Sequence, residues 1–165
     1  MDNSPALQLI IILILLALSA FFSSSETALT TVSHLKLRSL ADSGNKKAKK
    51  VLKVTENSSK LLSAILVGNN IVNNVATTIG AVLFIRLLDD VRGPTVSAIV
   101  LTVVILIFGE VSPKSLAKES PEAWAMLSAP LLRAFVAVLT PANFLFTQWK
   151  RLLSLIIHKR EEDGI

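Results

Sequence analysis

Three short runs of this sequence place oxygen-bearing side chains in otherwise apolar surroundings. They are Ser23-Ser24-Ser25-Glu26, Gly68-Asn69-Asn70-Ile71-Val72-Asn73-Asn74 and Phe108-Gly109-Glu110-Val111-Ser112-Pro113-Lys114. Together they offer hydroxyls, primary amides and two carboxylates. The chain has no cysteine, and its two histidines, His34 and His158, lie outside the apolar stretches. Neutral oxygens with one or two negative charges suit a hard cation such as Mg²⁺, Ca²⁺ or Na⁺ and disfavour copper or zinc. A proton relay through Glu110 and Glu26 would be competing chemistry, but amides do not titrate and make poor relay members. Neither a Ser, His and acid arrangement nor a two-carboxylate motif lies in the apolar stretches, so an enzyme is not expected.

Each run can be read two ways. Hydroxyls inside an apolar helix can bond back to carbonyls one turn earlier, loosening the ladder and freeing carbonyl oxygens. Alternatively, Ser23 to Glu26 simply marks a helix end with a serine cap. In the second run, helical spacing puts Asn69, Asn73 and Thr77 on one stripe and Asn70, Asn74 and Thr78 on the next. Asparagines can glue membrane helices together at roughly 0.6–2 kcal/mol each, but glue needs fewer than four. In the third run Pro113 has no N–H for the carbonyl of Gly109, four residues back, which leaves that oxygen bare beside Glu110. The alternative is that Glu110 and Lys114, at helical spacing, neutralise one another.

The elements that would position these groups follow from hydropathy. Hydrophobic residues make up 52% of the 165 and charged residues 18%, against about 45–50% and about 25% in ordinary soluble domains. The charges gather in residues 34–60 and 146–163 and leave long stretches nearly free of them. A bilayer crossing needs about 20 apolar residues, and three such segments are predicted, at about 6–33, 61–88 and 95–116. The first resembles a signal-peptide core but lacks a basic leader and is read as retained, interrupted at Ser23–Glu26. The loop 34–60 holds eight Lys and Arg against Asp42 and Glu56. The positive-inside rule therefore puts it in the cytoplasm, beside anionic lipid headgroups, with the N-terminus outside. Leucine, alanine and valine recur at helical spacing on both sides of Ser43-Gly44-Asn45, which predicts two short inner-surface helices over 34–56. Basic residues flank 122–157 on both sides, so that segment is expected as an inner-surface hairpin or shallow re-entrant pair, with the C-terminus cytoplasmic. The net charge of +5 is thus explained by topology rather than by nucleic acid, which is not expected as a partner. The mixed charges of 158–165 read as the start of a linker to another domain.

Depth decides whether the polar runs can meet. At 1.5 Å per residue, Ser23 lies about 25 Å and Glu110 about 24 Å from the outer ends of their helices. Asn69 to Asn74, climbing from Lys60, reach about 13–21 Å into a core of about 30 Å. Given helix tilt, that range overlaps the inner-half zone of the other two.

Phe22-Ser23-Ser24-Ser25-Glu26-Thr27-Ala28-Leu29, Leu66-Val67-Gly68-Asn69-Asn70-Ile71-Val72-Asn73 and Phe108-Gly109-Glu110-Val111-Ser112-Pro113-Lys114, in that order, resemble the transmembrane domain of the CNNM/CorC (cyclin M) family of magnesium transporters. The resemblance covers nearly the whole chain, about 1–157. It implies an all-α membrane protein: a homodimer of protomers with three transmembrane helices and a belt of cytoplasmic juxtamembrane helices in the plasma membrane. It implies Mg²⁺ export, exchanged for Na⁺, with ATP entering only through a following cytoplasmic CBS-pair module. By motif match, Ser23, Asn69, Asn73 and Glu110 are the first-choice Mg²⁺ ligands, assisted by carbonyls around Ser23 and Gly109, with Ser25, Asn70 and Asn74 as further candidates. Glu26 differs in eukaryotic members and is not carried over as a ligand. The alternative function is a membrane-embedded Mg²⁺ sensor that controls a cytoplasmic domain without transporting.

Overall fold

Ser4 begins the first helix by accepting a bond from the Leu7 N–H, with Pro5 in the first turn, where its missing donor costs nothing. The resulting α1, Pro5–Thr31, opens a chain that is helical nearly throughout in this computed structural model, which describes residues 4–162. Then come α2 (His34–Asp42), α3 (Lys46–Thr55) and α4 (Ser58–Leu87). After them run α5 (Gly93–Val104), a π-helical segment (Ile105–Val111), α6 (Ser112–Glu119), α7 (Pro121–Val138) and α8 (Thr140–Glu162). Side-chain caps start the helices around the basic loop: Ser33 for α2, Asn45 for α3 and Asn57 for α4.

Among the described residues, three helical runs are each long and apolar enough to cross a membrane, α1, α4 and the continuous α5–π–α6 stretch Gly93–Glu119, and the bent pair α7–α8 would make a fourth if it is one span. The 27, 30 and 27 residues of the first three rise about 40–45 Å, more than the hydrocarbon core requires. Large apolar side chains such as Leu9, Ile10, Leu13, Ile14, Ile99 and Val103 are exposed, as expected where lipid is the solvent. The chain is thus an all-α, multi-pass membrane protein.

α4 packs against both α1 and α7 at Gly68, where an added Cβ would meet the rings of Phe135 and Phe22 at 2.7 and 2.8 Å, so those two rings occupy the space a side chain would take. The apolar packing forms two clusters. One joins Ile12 of α1, Ala76 and Leu83 of α4, and Leu101 and Ile105 of the third span. The other gathers the ends of α1 and α4, through Phe22, Leu29, Ile65 and Val72, with Leu37, Val51 and Leu132 of α2, α3 and α7. The short helices therefore wrap the basic end of the bundle, where Lys36 of α2 also pairs with Glu122 of α7 at 3.8 Å.

Two expectations need correction. The first helix is not interrupted at Ser23–Glu26; α1 runs through it unbroken. The segment 122–157 is not a hairpin, because α7 and α8 meet at a 56° bend around Leu139, far short of a reversal, and that bend is the geometry of the expected re-entrant pair or of a single broken span. A one-residue joint leaves no room to fold the chain back. Of the linker expected at 158–165, residues 158–162 continue α8, and 163–165 lie outside the described residues.

Candidate functional site

The polar runs meet in a layer between the two apolar clusters. On α1, Ser24 and Ser25 donate their hydroxyls to the Phe21 carbonyl at 3.0 and 2.6 Å. The helix keeps its ladder because each hydroxyl brings its own donor to an oxygen that can accept more than one bond. Ser23 differs. Its side chain is 1% exposed, and its Oγ has no hydrogen-bond partner in the structure.

α4 answers with its first amide stripe. Asn69 Oδ1 accepts from Ser19 Oγ at 3.2 Å, and Asn73 Nδ2 stands 3.5 Å from Glu110 Oε1, a long donor contact. Asn73 Oδ1 is buried and, like Ser23 Oγ, without a partner. Asn70, Asn74 and Thr78 are exposed on the adjacent stripe, and Thr77, at the end of the first stripe, is exposed as well. The structure therefore brings Asn69 and Asn73 to the layer and turns Asn70 and Asn74 away from it.

The third span contributes through a local change of helix type. Around Glu110 the turns widen to the π register, and the Ser112 N–H reaches back five residues to the Ile107 carbonyl. Pro113 follows in the first turn of α6 and has no N–H for Phe108 or Gly109. A π segment is the usual way a helix absorbs one residue too many, and such segments favour functional sites. It also undoes the alternative pairing of Glu110 with Lys114, since alignment at four residues belongs to the α register. Lys114 Nζ instead pairs with Glu26 Oε2 at 3.7 Å, while Glu110 faces the Asn73 amide. Gly109 is buried against α1, where a Cβ would come 2.9 Å from Ser19 Oγ; only glycine lets the two helices close here.

Ser19 was not singled out from the sequence, although it is buried at 0% exposure and touches both other spans. The available signal was its position one turn before Ser23, on the same face of α1. The layer joins Ser19, Asn69, Asn73, Gly109 and Glu110 by contact, with Ser23 buried one helical turn along α1 from Ser19. Two of its buried acceptors are unsatisfied, each at a cost of about 1–3 kcal/mol. Acceptors without donors beside a carboxylate are what a cation binds. No group of three or more His, Cys, Asp or Glu residues that could hold a metal occurs among the described residues. Any ion in this layer would therefore be held mainly by neutral oxygens.

Residues 10–164 match the family described as Cyclin M transmembrane N-terminal domain. Among curated proteins, the chain is 39% identical over 158 residues to a UPF0053 protein of Haemophilus influenzae, covering 95% of this chain and 37% of that one. It is 38% identical over 136 residues to the UPF0053 inner membrane protein YfjD of Escherichia coli, covering 82% and 32%. It is 31% identical over 151 residues to the polyamine export protein of Escherichia coli, covering 84% and 34%. The chain thus spans about a third of the length of these relatives. With three membrane-crossing helices and a match over nearly its whole length, it belongs to the CNNM/CorC family as that family's transmembrane domain.

Proposed function

We propose that this domain exports Mg²⁺ by alternating access, in exchange for Na⁺, with the polar layer as the transport site. The observation that carries the reading is the pair of buried, unpartnered oxygens, Ser23 Oγ and Asn73 Oδ1, in the layer that holds Glu110. Mg²⁺ demands oxygen ligands and sheds water reluctantly, so one carboxylate among neutral oxygens would hold it only moderately and let it leave. The apolar clusters on either side are suited to act as two seals that open in turn. By the positive-inside rule, the lysine-rich end of the bundle is cytoplasmic and the N-terminus is outside.

The exposed amide stripe supports a homodimer. Asn70 and Asn74 on a membrane helix would be costly against lipid, and a second copy would cover them. The relatives' greater length leaves room for the CBS-pair module, through which ATP would act.

Replacing Glu110 with Gln should abolish Mg²⁺ flux in proteoliposomes and remove Mg²⁺-dependent thermal protection; unchanged behaviour would overturn the assignment. Retained Mg²⁺ protection by the native protein without flux would favour the sensor instead. A second reading comes from the relative named a polyamine export protein, because protonated amines also seek unpartnered acceptors. The close contact at Gly109 favours a compact ion over a long chain. Flux of a polyamine exceeding that of Mg²⁺ in the same liposomes would reverse that preference.

A further inference from the structure

Away from the polar layer, the basic end of the bundle carries two adjoining cavities that the transport site does not use. The smaller, about 220 Å³, lies between α3, the start of α4 and α7. Lys53, Lys60 and Arg133 line it against a single acid, Glu56, and Asn57 opens onto it at the α4 N-terminus. Three cations from three different helices thus face one space, and the α4 dipole adds to the positive field there. The larger, about 620 Å³, shares Asn57 and Lys60 with the first and continues between α4 and α8. Its lining includes Lys150 and then Leu66, Phe144, Phe146 and Trp149. Leu66 lies six residues beyond Lys60, about 9 Å further along α4 toward the membrane interior.

We propose that these joined cavities bind one anionic phospholipid, its phosphate held by Lys53, Lys60 and Arg133 and an acyl chain laid in the groove between α4 and α8. Charge complementarity and direction both support this occupant. The cationic end sits where a bilayer's headgroups lie, and the apolar groove starts at the shared Lys60 and leads into the hydrocarbon. A free phosphate would satisfy the first cavity but leave Phe144, Phe146 and Trp149, about half exposed or more, uncovered. Basic pockets between membrane helices recognise anionic headgroups, and each Lys or Arg near the membrane surface adds to the attraction. Loss of two cations should therefore weaken retention by roughly tenfold or more.

The test is native mass spectrometry of the purified protein released from nanodiscs of equal phosphatidylglycerol and phosphatidylcholine. The expected result is preferential retention of one phosphatidylglycerol per protomer, lost in the double variant Lys60→Ala, Arg133→Ala. The same charge loss at Lys47→Ala, Lys49→Ala, on exposed positions lining neither cavity, should leave retention intact. Phe146→Ser should weaken retention of the diacyl lipid, and inorganic phosphate or glycerol phosphate in excess should not displace it. Equal retention of the two lipids, or equal loss in both double variants, overturns the site. Displacement by inorganic phosphate overturns the lipid as occupant. Matching size-exclusion profiles and helical content keep misfolding from imitating either outcome.

Discussion

The polar segments of α1 and of the third span both offered a reading in which the helix is loosened, and they do opposite things. In α1 three consecutive serines leave the helix intact, two of them tied back to Phe21. In the third span the helix widens to the π register just before Pro113. Serine adds a donor to a ladder that is already complete, so the ladder survives. Proline removes one, and the turns before it must reorganise. A hydroxyl run therefore places side chains on a rigid rod, whereas Gly-Glu-x-x-Pro places a carboxylate on a deformable one. In the polar layer the rigid rod carries Ser19 and Ser23, and the deformable one carries Glu110, the group proposed to engage and release an ion.

Restoring the missing donor is the strongest way to break this contrast. Pro113→Ala should let the α register run through, turning Glu110 away from Asn73 by up to about 100° and cutting Mg²⁺ flux by roughly tenfold or more. Basal thermal stability should hold or rise, and a structure of the variant that keeps the π turn would remove proline as its cause. A smaller effect is expected at the unpartnered hydroxyl. Ser23→Ala should raise stability without Mg²⁺ by about 1 kcal/mol, because a buried unsatisfied acceptor disappears, while Mg²⁺-dependent stabilisation falls. Thermal shifts with and without Mg²⁺ read both, and an undiminished Mg²⁺-dependent increment would count against a ligand role. The smallest effect belongs to Ser24, whose hydroxyl is spent on its own backbone. Ser24→Ala should change stability by no more than about 0.5 kcal/mol and leave flux unchanged; a loss of flux would mean that the back-bonded serines also serve the ion.

Much of this was legible in the sequence because it depends on local composition. Three apolar segments separated by a lysine-rich loop specify membrane helices wherever they pack. The alternation of Asn69 and Asn73 with Asn70 and Asn74 is fixed by helical pitch, so the two stripes could be drawn before either had a neighbour. Which stripe faces the bundle could not, since both are equally polar and only the packing of Gly68 against Phe22 and Phe135 sets the rotation of α4. Ser19 escaped notice for a related reason. One hydroxyl in an apolar helix is unremarkable until Asn69 and Gly109 close on it.

By itself the sequence determined the class of protein, the three spans, the oxygen-bearing runs within them and the family resemblance, because these follow from residue type and spacing along one chain. Tertiary structure decided which oxygens share a space, which carboxylate is paired with lysine and which faces the amides, and where two acceptors are left unsatisfied. Those are facts about distances between helices. A helix fixes the angles at which its own side chains leave the axis, but its rotation and register against its neighbours are set by close packing over the whole bundle.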